Sequence, residues 1–221
     1  MIAKDLINYM IPPLKPSDPV SKARQWMEEL RISELPVSDH GRYLGLISEE
    51  VLYNEEVIPF SVGELQLIAA DVTVYRDNHY YDVLKEAYAH GIRIVAILDD
   101  DENYLGVVSI ENVIEAFAGT ASVATPGAIL ILNMEYRDYY LSEISRIVEA
   151  NEAKILSSHL SNNQKEVGLV TLTLKLNVED ATHIISSLDS KGFKVTDSFN
   201  KNEVNEAESD RFDNLMNYLN L

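Results

Sequence analysis

The sequence contains no cysteine. Disulfides, thiolate metal sites and thiol catalysis are therefore excluded. Bases are scarce: 18 Lys and Arg stand against 36 Asp and Glu, a formal net charge of -18 at pH 7. An acidic surface repels nucleic-acid backbones and anionic membranes, so neither is expected as a partner. One anionic small ligand stays compatible, because a few local bases and backbone N–H groups suffice to hold it. No stretch approaches the roughly 18 uninterrupted apolar residues of a membrane span. The opening "MIAKDLINYMIPPLKP" lacks the apolar core of a signal peptide. Together these features predict a soluble cytoplasmic protein.

Catalytic signatures are missing as well. There is no G-x-x-x-x-G-K-S/T loop, no G-x-G-x-x-G turn and no G-x-S-x-G elbow. The histidines (His40, His79, His90, His159 and His183) show no H-x-x-x-H or His-carboxylate spacing. The acidic run Asp99–Glu102 reads as a solvated turn rather than a hard-cation site. No enzyme, no metal and no cofactor is expected.

What the chain does carry is a repeat. "SDPVSKARQWMEELRI" (Ser17–Ile32) has a counterpart in "DNHYYDVLKEAYAHGI" (Asp77–Ile92). "YLGLISEEVL" (Tyr43–Leu52) matches "YLGVVSIENVI" (Tyr104–Ile114), and "IAKDL" (Ile2–Leu6) matches "VGEL" (Val62–Leu65). Each copy reads helix, strand, strand, helix. Ser17 or Asp18 is placed to cap the first helix, with Pro19 in its first turn. Val20, Ala23, Met27 and Leu30 form one apolar stripe, as do Tyr80, Val83, Leu84 and Ala87. Leu35–Val37 and Leu44–Ile47 read as strands in the first copy, Ile94–Leu98 and Leu105–Val108 in the second.

Beyond Ala118 the pattern changes. "GTASVATPG" reads as a linker. Strands are expected at Ala128–Met134, Lys154–Leu160, Val167–Leu176 and Phe193–Thr196. Helices are expected at Leu141–Ala150 and Val178–Leu188, with "SNNQKEVG" as a hairpin turn. The order βαββαβ is ferredoxin-like. The tail has an asparagine-rich, acidic first half that reads as disordered. Phe212, Leu215, Met216 and Leu219 then lie on one helical face. The expected domains are 1–60, 61–118, a linker at 119–127, 128–198, and a tail at 199–221. The fold class is α+β.

The repeat, through "RISELPVSDHGRYLGLISEEVL" and "GIRIVAILDDDENYLGVVSIENVI", resembles a tandem CBS domain pair, or Bateman module. The C-terminal part resembles an ACT domain by element order. A CBS pair followed by an ACT domain is similar to the acetoin-utilization AcuB-like proteins. The resemblance implies a non-catalytic regulatory sensor whose paired repeats leave clefts for an adenine nucleotide. It also implies a homodimer joined through ACT domains, which often bind small effectors.

By family position the ribose-binding Asp falls three residues after the Ser or Thr that opens the second helix of each repeat. In the first repeat Ser48 is followed by Val51 there, which cannot accept a hydrogen bond. That cleft reads as degenerate, and Glu49 and Glu50 add negative charge where phosphates would approach. In the second repeat Ser109 is followed by Asn112, a neutral substitute. Thr73, Ile94 and the strand entry at Gly91 would border the base, and Arg76 and Arg93 are the candidate phosphate partners. A second reading is that Ser109 and Asn112 merely cap their helix. In the ACT-like turn, Arg137 and Asp138 could pair with a zwitterionic effector or simply be solvated. The rival overall reading is a dimeric interaction scaffold with degenerate clefts, acting through partner contacts.

Overall fold

The computed structural model describes residues 1–54, 60–162 and 168–199. The tail helix expected near 210–220 and the hairpin turn at 163–167 lie outside those residues. The chain divides into two compact units, Met1–Ala118 and Gly119–Leu221.

In the first unit the two copies build matching elements. The first has α1 (Val20–Leu30), β1 (Glu34–Asp39), β2 (Arg42–Ser48) and α2 (Glu49–Asn54). The second has β3 (Thr73–Tyr75), α3 (Tyr80–His90), β4 (Ile94–Leu98), β5 (Tyr104–Ser109) and α4 (Ile110–Ala118). The helical stripes are inward as their spacing requires: Val20, Ala23 and Met27 are buried, as are Tyr80, Val83 and Ala87. β1 and β2 pair antiparallel, as do β4 and β5, each with an irregular register near the turn.

β3 was not foreseen from the sequence. It pairs parallel to β4, with Val74 opposite Ile97. Three residues are too few for periodicity to register. Its counterpart in the first copy is a single parallel bridge between Leu14 and Val37. Pro12, Pro13 and Pro16 surround Leu14, and proline cannot donate to a ladder. The capping of α1 also differs from expectation. Pro19 is the N-cap residue and no side chain caps it. The Asp18 carboxylate instead accepts from the Lys15 N–H and from Lys22 Nζ, both at 2.8 Å.

The repeats exchange their leading segments. The Ala3 N–H donates to the Asn78 carbonyl, Lys4 to Arg76 and Asn8 to Val107. Reciprocally, Val62 donates to Asp18 and Gly63 to Pro16, while Leu46 and Ile68 exchange both of their bonds. The shared "YLG" glycines permit this close approach. A Cβ on Gly106 would stand 2.6 Å from Ile7 Cγ2, and one on Gly45 would stand 2.9 Å from the Ile68 carbonyl oxygen. One continuous core results, containing Leu35, Val37, Leu46 and Ile47 with Ile94, Val95, Ile97 and Val107.

The second unit follows the expected βαββαβ order. Its elements are a short α5 (Ala121–Ala124) within the segment read as linker, then β6 (Ile129–Glu135), α6 (Leu141–Ala150), β7 (Ile155–Asn162), β8 (Leu169–Leu176), α7 (Thr182–Ser190) and β9 (Val195–Phe199). The sheet order is β7-β8-β6-β9 and every pairing is antiparallel. Leu130 and Leu132 of β6 pack with Leu172, Leu174 and Leu176 of β8. Ile144, Val148, Ile184 and Leu188 cover them from the helices. α7 starts later than its apolar pattern suggests. Val178 is still engaged with the residue that leads into β6, its carbonyl accepting the Ala128 N–H. The Asp180 carboxylate then takes the Thr182 N–H at 3.0 Å and opens the helix.

Candidate functional site

The entries of β1 and β4 meet inside the first unit, beside the starts of α2 and α4. A cavity of about 640 Å³ opens there. Both repeats contribute to its wall: Ser33, Glu34, Glu49 and Leu52 from the first, Arg93, Ile94, Ser109 and Glu111 from the second. The end of α1 adds Arg24, Met27, Glu28 and Arg31. The volume suits a drug-sized or nucleoside-sized molecule.

Glu34 is the unusual member. Its neighbours in β1 are apolar, and its counterpart in the second repeat is Ile94. The glutamate is only 7% exposed. Its Oε2 accepts the Arg93 N–H at 2.8 Å and the Ile94 N–H at 3.2 Å. Arg93 immediately precedes β4 and Ile94 is its first residue, paired with Ser109 of β5. Burial pushes the Glu34 carboxyl above its ordinary pKa, while the two N–H bonds and the Arg93 guanidinium pull it back down. Glu34 was not singled out in the sequence. The signal was available as a mismatch: one copy of the repeat places an acid where the other places isoleucine.

Arg31 is the second departure. It ends α1 in the left-handed conformation, φ 55°. In the second repeat Gly91 occupies the same position at φ 66°. An L-residue there carries a steric penalty that glycine avoids.

Of the residues singled out by sequence, Arg93, Ile94 and Ser109 line the cavity, while Thr73, Arg76 and Asn112 are not among its lining residues. Thr73 lies on β3. The Arg76 guanidinium lies near Asp77, with Nε 3.7 Å from the carboxylate. Asn112 forms a capping arrangement at α4: Ser109 Oγ donates to Asn112 Oδ1 at 2.6 Å, and the Asn112 N–H donates to Ser109 Oγ at 3.1 Å. The carboxamide oxygen proposed for a ribose is thus turned to its own helix. In the first repeat the Val51 N–H donates to Ser48 Oγ at 3.3 Å, and Val51 packs against the core.

Two tyrosines at matching positions sit between the repeats. Tyr43 and Tyr104 stack with ring centroids 6.0 Å apart. The Tyr43 hydroxyl donates to the Ala69 carbonyl at 3.1 Å. Burial raises the pKa of both phenols. In the second unit Arg137 is 77% exposed, and its Nε pairs with Glu135 at 2.9 Å and lies 3.9 Å from Asp138. Of the three tyrosines in that turn, Tyr136 and Tyr140 are exposed, and Tyr139 packs against the core. Among the described residues no group of three His, Asp or Glu side chains is placed to hold a metal ion. No described helix is long and apolar enough to cross a membrane.

An interlocked pair of repeats with a cavity where their strand entries meet defines a tandem-repeat module with an inter-repeat cleft. The family model for the CBS domain matches residues 3–55 and 62–119, just over half of the chain. The chain belongs to the CBS domain family. No curated protein matches it in sequence. A crystal structure of a CBS domain pair/ACT domain protein from Thermotoga maritima is 22% identical, with a TM-score of 0.47 over 53% of this chain and 96% of that one. The structure of CBSX2 in complex with AMP is 20% identical, with a TM-score of 0.45 over 52% and 95%. A CBS domain pair in complex with 5′-methylthioadenosine and S-adenosyl-L-methionine is 21% identical, with a TM-score of 0.44 over 54% and 97%.

Proposed function

We propose that the protein is a non-catalytic regulatory module whose CBS pair binds an adenine nucleotide in the inter-repeat cavity. Membership of the CBS domain family supports a regulatory role. The observation that carries the binding reading is the cavity itself, with a wall drawn from both repeats and three arginines, Arg24, Arg31 and Arg93, among its lining residues. Arg31 strengthens the reading. A strained left-handed arginine persists where the other repeat uses glycine, which fits a side chain kept for what it meets in the cavity. A ligand bridging both repeats favours whichever arrangement of them it fits better, and that differential affinity is what a sensor requires.

The site differs in membership from the sequence-based one. It rests on Arg93, Ile94 and Ser109, joined by Arg24, Arg31 and Glu34. The second unit is read as an ACT-type domain over 128–198, following repeats at 1–60 and 61–118 and a linker at 119–127. It would join two copies in a homodimer and could hold an effector near Arg137 and Asp138. Isothermal titration with ATP, ADP, AMP and adenosine tests the main reading. Saturable binding of at least one of the four supports it, and no heat from any of the four at millimolar concentration sinks it.

A specific observation favours a second reading, that of a dimeric scaffold with degenerate clefts. Glu34 already holds the two N–H donors of β4, and Asn112 is spent on its own helix. On that reading the signal passes through partner contacts, and titration with nucleotides stays silent.

A further inference from the structure

Glu34 presents one oxygen to the protein and leaves the other free. Both the Arg93 and Ile94 N–H groups donate to Oε2. Oε1 has no hydrogen-bond partner among the described residues. The side chain is more than nine-tenths buried and belongs to the cavity wall. Oε1 is not sealed from solvent, so a ligand N–H that enters the cavity can reach it and make a charge-assisted hydrogen bond.

The surrounding charges point the same way. Glu28, Glu49 and Glu111 also line the cavity. Glu49 and Glu111 stand in the first turns of α2 and α4, where helix N-termini would otherwise attract a phosphate. The opposing arginines are less available. Arg24 donates from Nη2 to the Leu52 carbonyl at 2.8 Å. Arg31 and Arg93 are exposed, so water screens their charge. Glu34 is buried and is screened far less.

We infer that Glu34 is the specificity-determining residue of this cavity, selecting an adenosine-type ligand that carries a hydrogen-bond-donating nitrogen and little or no phosphate charge. The proposal rests on the adenine-binding reading and narrows it. The exocyclic amine of the base donates to Glu34 Oε1, while Oε2 stays on the β4 backbone and holds the carboxylate in place. A triphosphate would bring several negative charges into a space already lined by four carboxylates.

Competitive calorimetry on the full chain with adenosine, AMP and ATP decides the matter. Affinity is expected to fall in that order, with adenosine at least ten-fold tighter than ATP. Glu34→Gln removes the charge and is expected to reduce that ratio several-fold, whereas Glu34→Asp keeps it. Circular dichroism establishes that each variant is folded, and the ratio in the unaltered chain is decisive without any variant. ATP binding as tightly as adenosine overturns the role of Glu34 while leaving the adenine site standing. Silence from all three compounds overturns the adenine reading and this inference with it.

Discussion

Glu34 and Arg31 are both breaks in an otherwise faithful repeat, and both face the cavity. For Glu34 the pH dependence of stability follows from burial, with Arg93 pulling the carboxyl pKa down and Glu111 pushing it up. The native state holds the Glu34 proton to a higher pH than the unfolded chain does. Stability from this group is therefore complete below the ordinary glutamate value of 4.5 and is lost as pH rises through the elevated native value. Urea denaturation of the native chain and of Glu34→Gln checks this. The stability of the native chain relative to the variant should be greater at about pH 4.5 than at about pH 7.5. An identical difference at both pH values would mean the carboxyl titrates normally. Arg31→Gly should stabilise the chain by about 1 kcal/mol, because it removes the left-handed penalty. The same denaturation assay reads it out, and an unchanged or lowered midpoint contradicts it. The same substitution should weaken ligand binding if the arginine is retained for the cavity.

At the scale of elements, the helical stripes and the longer strands were legible because burial imposes periodicity on sequence. Leu141–Ala150 is a helix over the range its pattern gives, and the alternation Val170, Leu172, Leu174, Leu176 is the buried face of β8. β3 escaped because its three residues are held by β4 rather than by a pattern of their own. The start of α7 was misplaced because the sheet claims Val178 before the helix can. The glycines of "YLG" gave the repeat away, but their reason is tertiary: each sits beneath the leading segment of the other copy. Gly106→Ala should therefore destabilise the first unit by about 1–3 kcal/mol, through overpacking against Ile7 and a positive φ. Chemical denaturation measures it, and a loss below about 0.5 kcal/mol would show that Ile7 yields freely. The exchange of leading segments has its own consequence. Deleting the first ten residues should raise amide exchange at Tyr80, whose N–H donates to the Met1 carbonyl, and in β5, which loses the cover of the segment whose Asn8 N–H bonds the Val107 carbonyl. Faster exchange confined to α1 and β1 would argue against the interlock.

For the whole molecule, charge and shape act together. A formal net charge of -18 works against a compact state by self-repulsion. Added salt screens it, so the thermal midpoint should rise by roughly a few degrees between low and about 0.5 M NaCl. A flat response would show that the acids are already paired or dispersed. If the second unit joins two copies, sedimentation should return about twice the 24.9 kDa chain mass, and a single chain mass at micromolar concentration excludes that assembly. By itself the sequence determined the repeat, the α+β class, the βαββαβ order and the absence of thiol chemistry, since each follows from local composition or from spacing along the chain. It also pointed to Arg93, Ile94 and Ser109. Only the tertiary structure decided which of the proposed residues share a space. It turned Asn112 to its helix, left Thr73 and Arg76 outside the cavity lining and brought Glu34 across to the backbone of the other repeat. The reason is physical: a cavity between two interlocked copies is made by contacts between residues distant in sequence, and no periodicity within either copy encodes them.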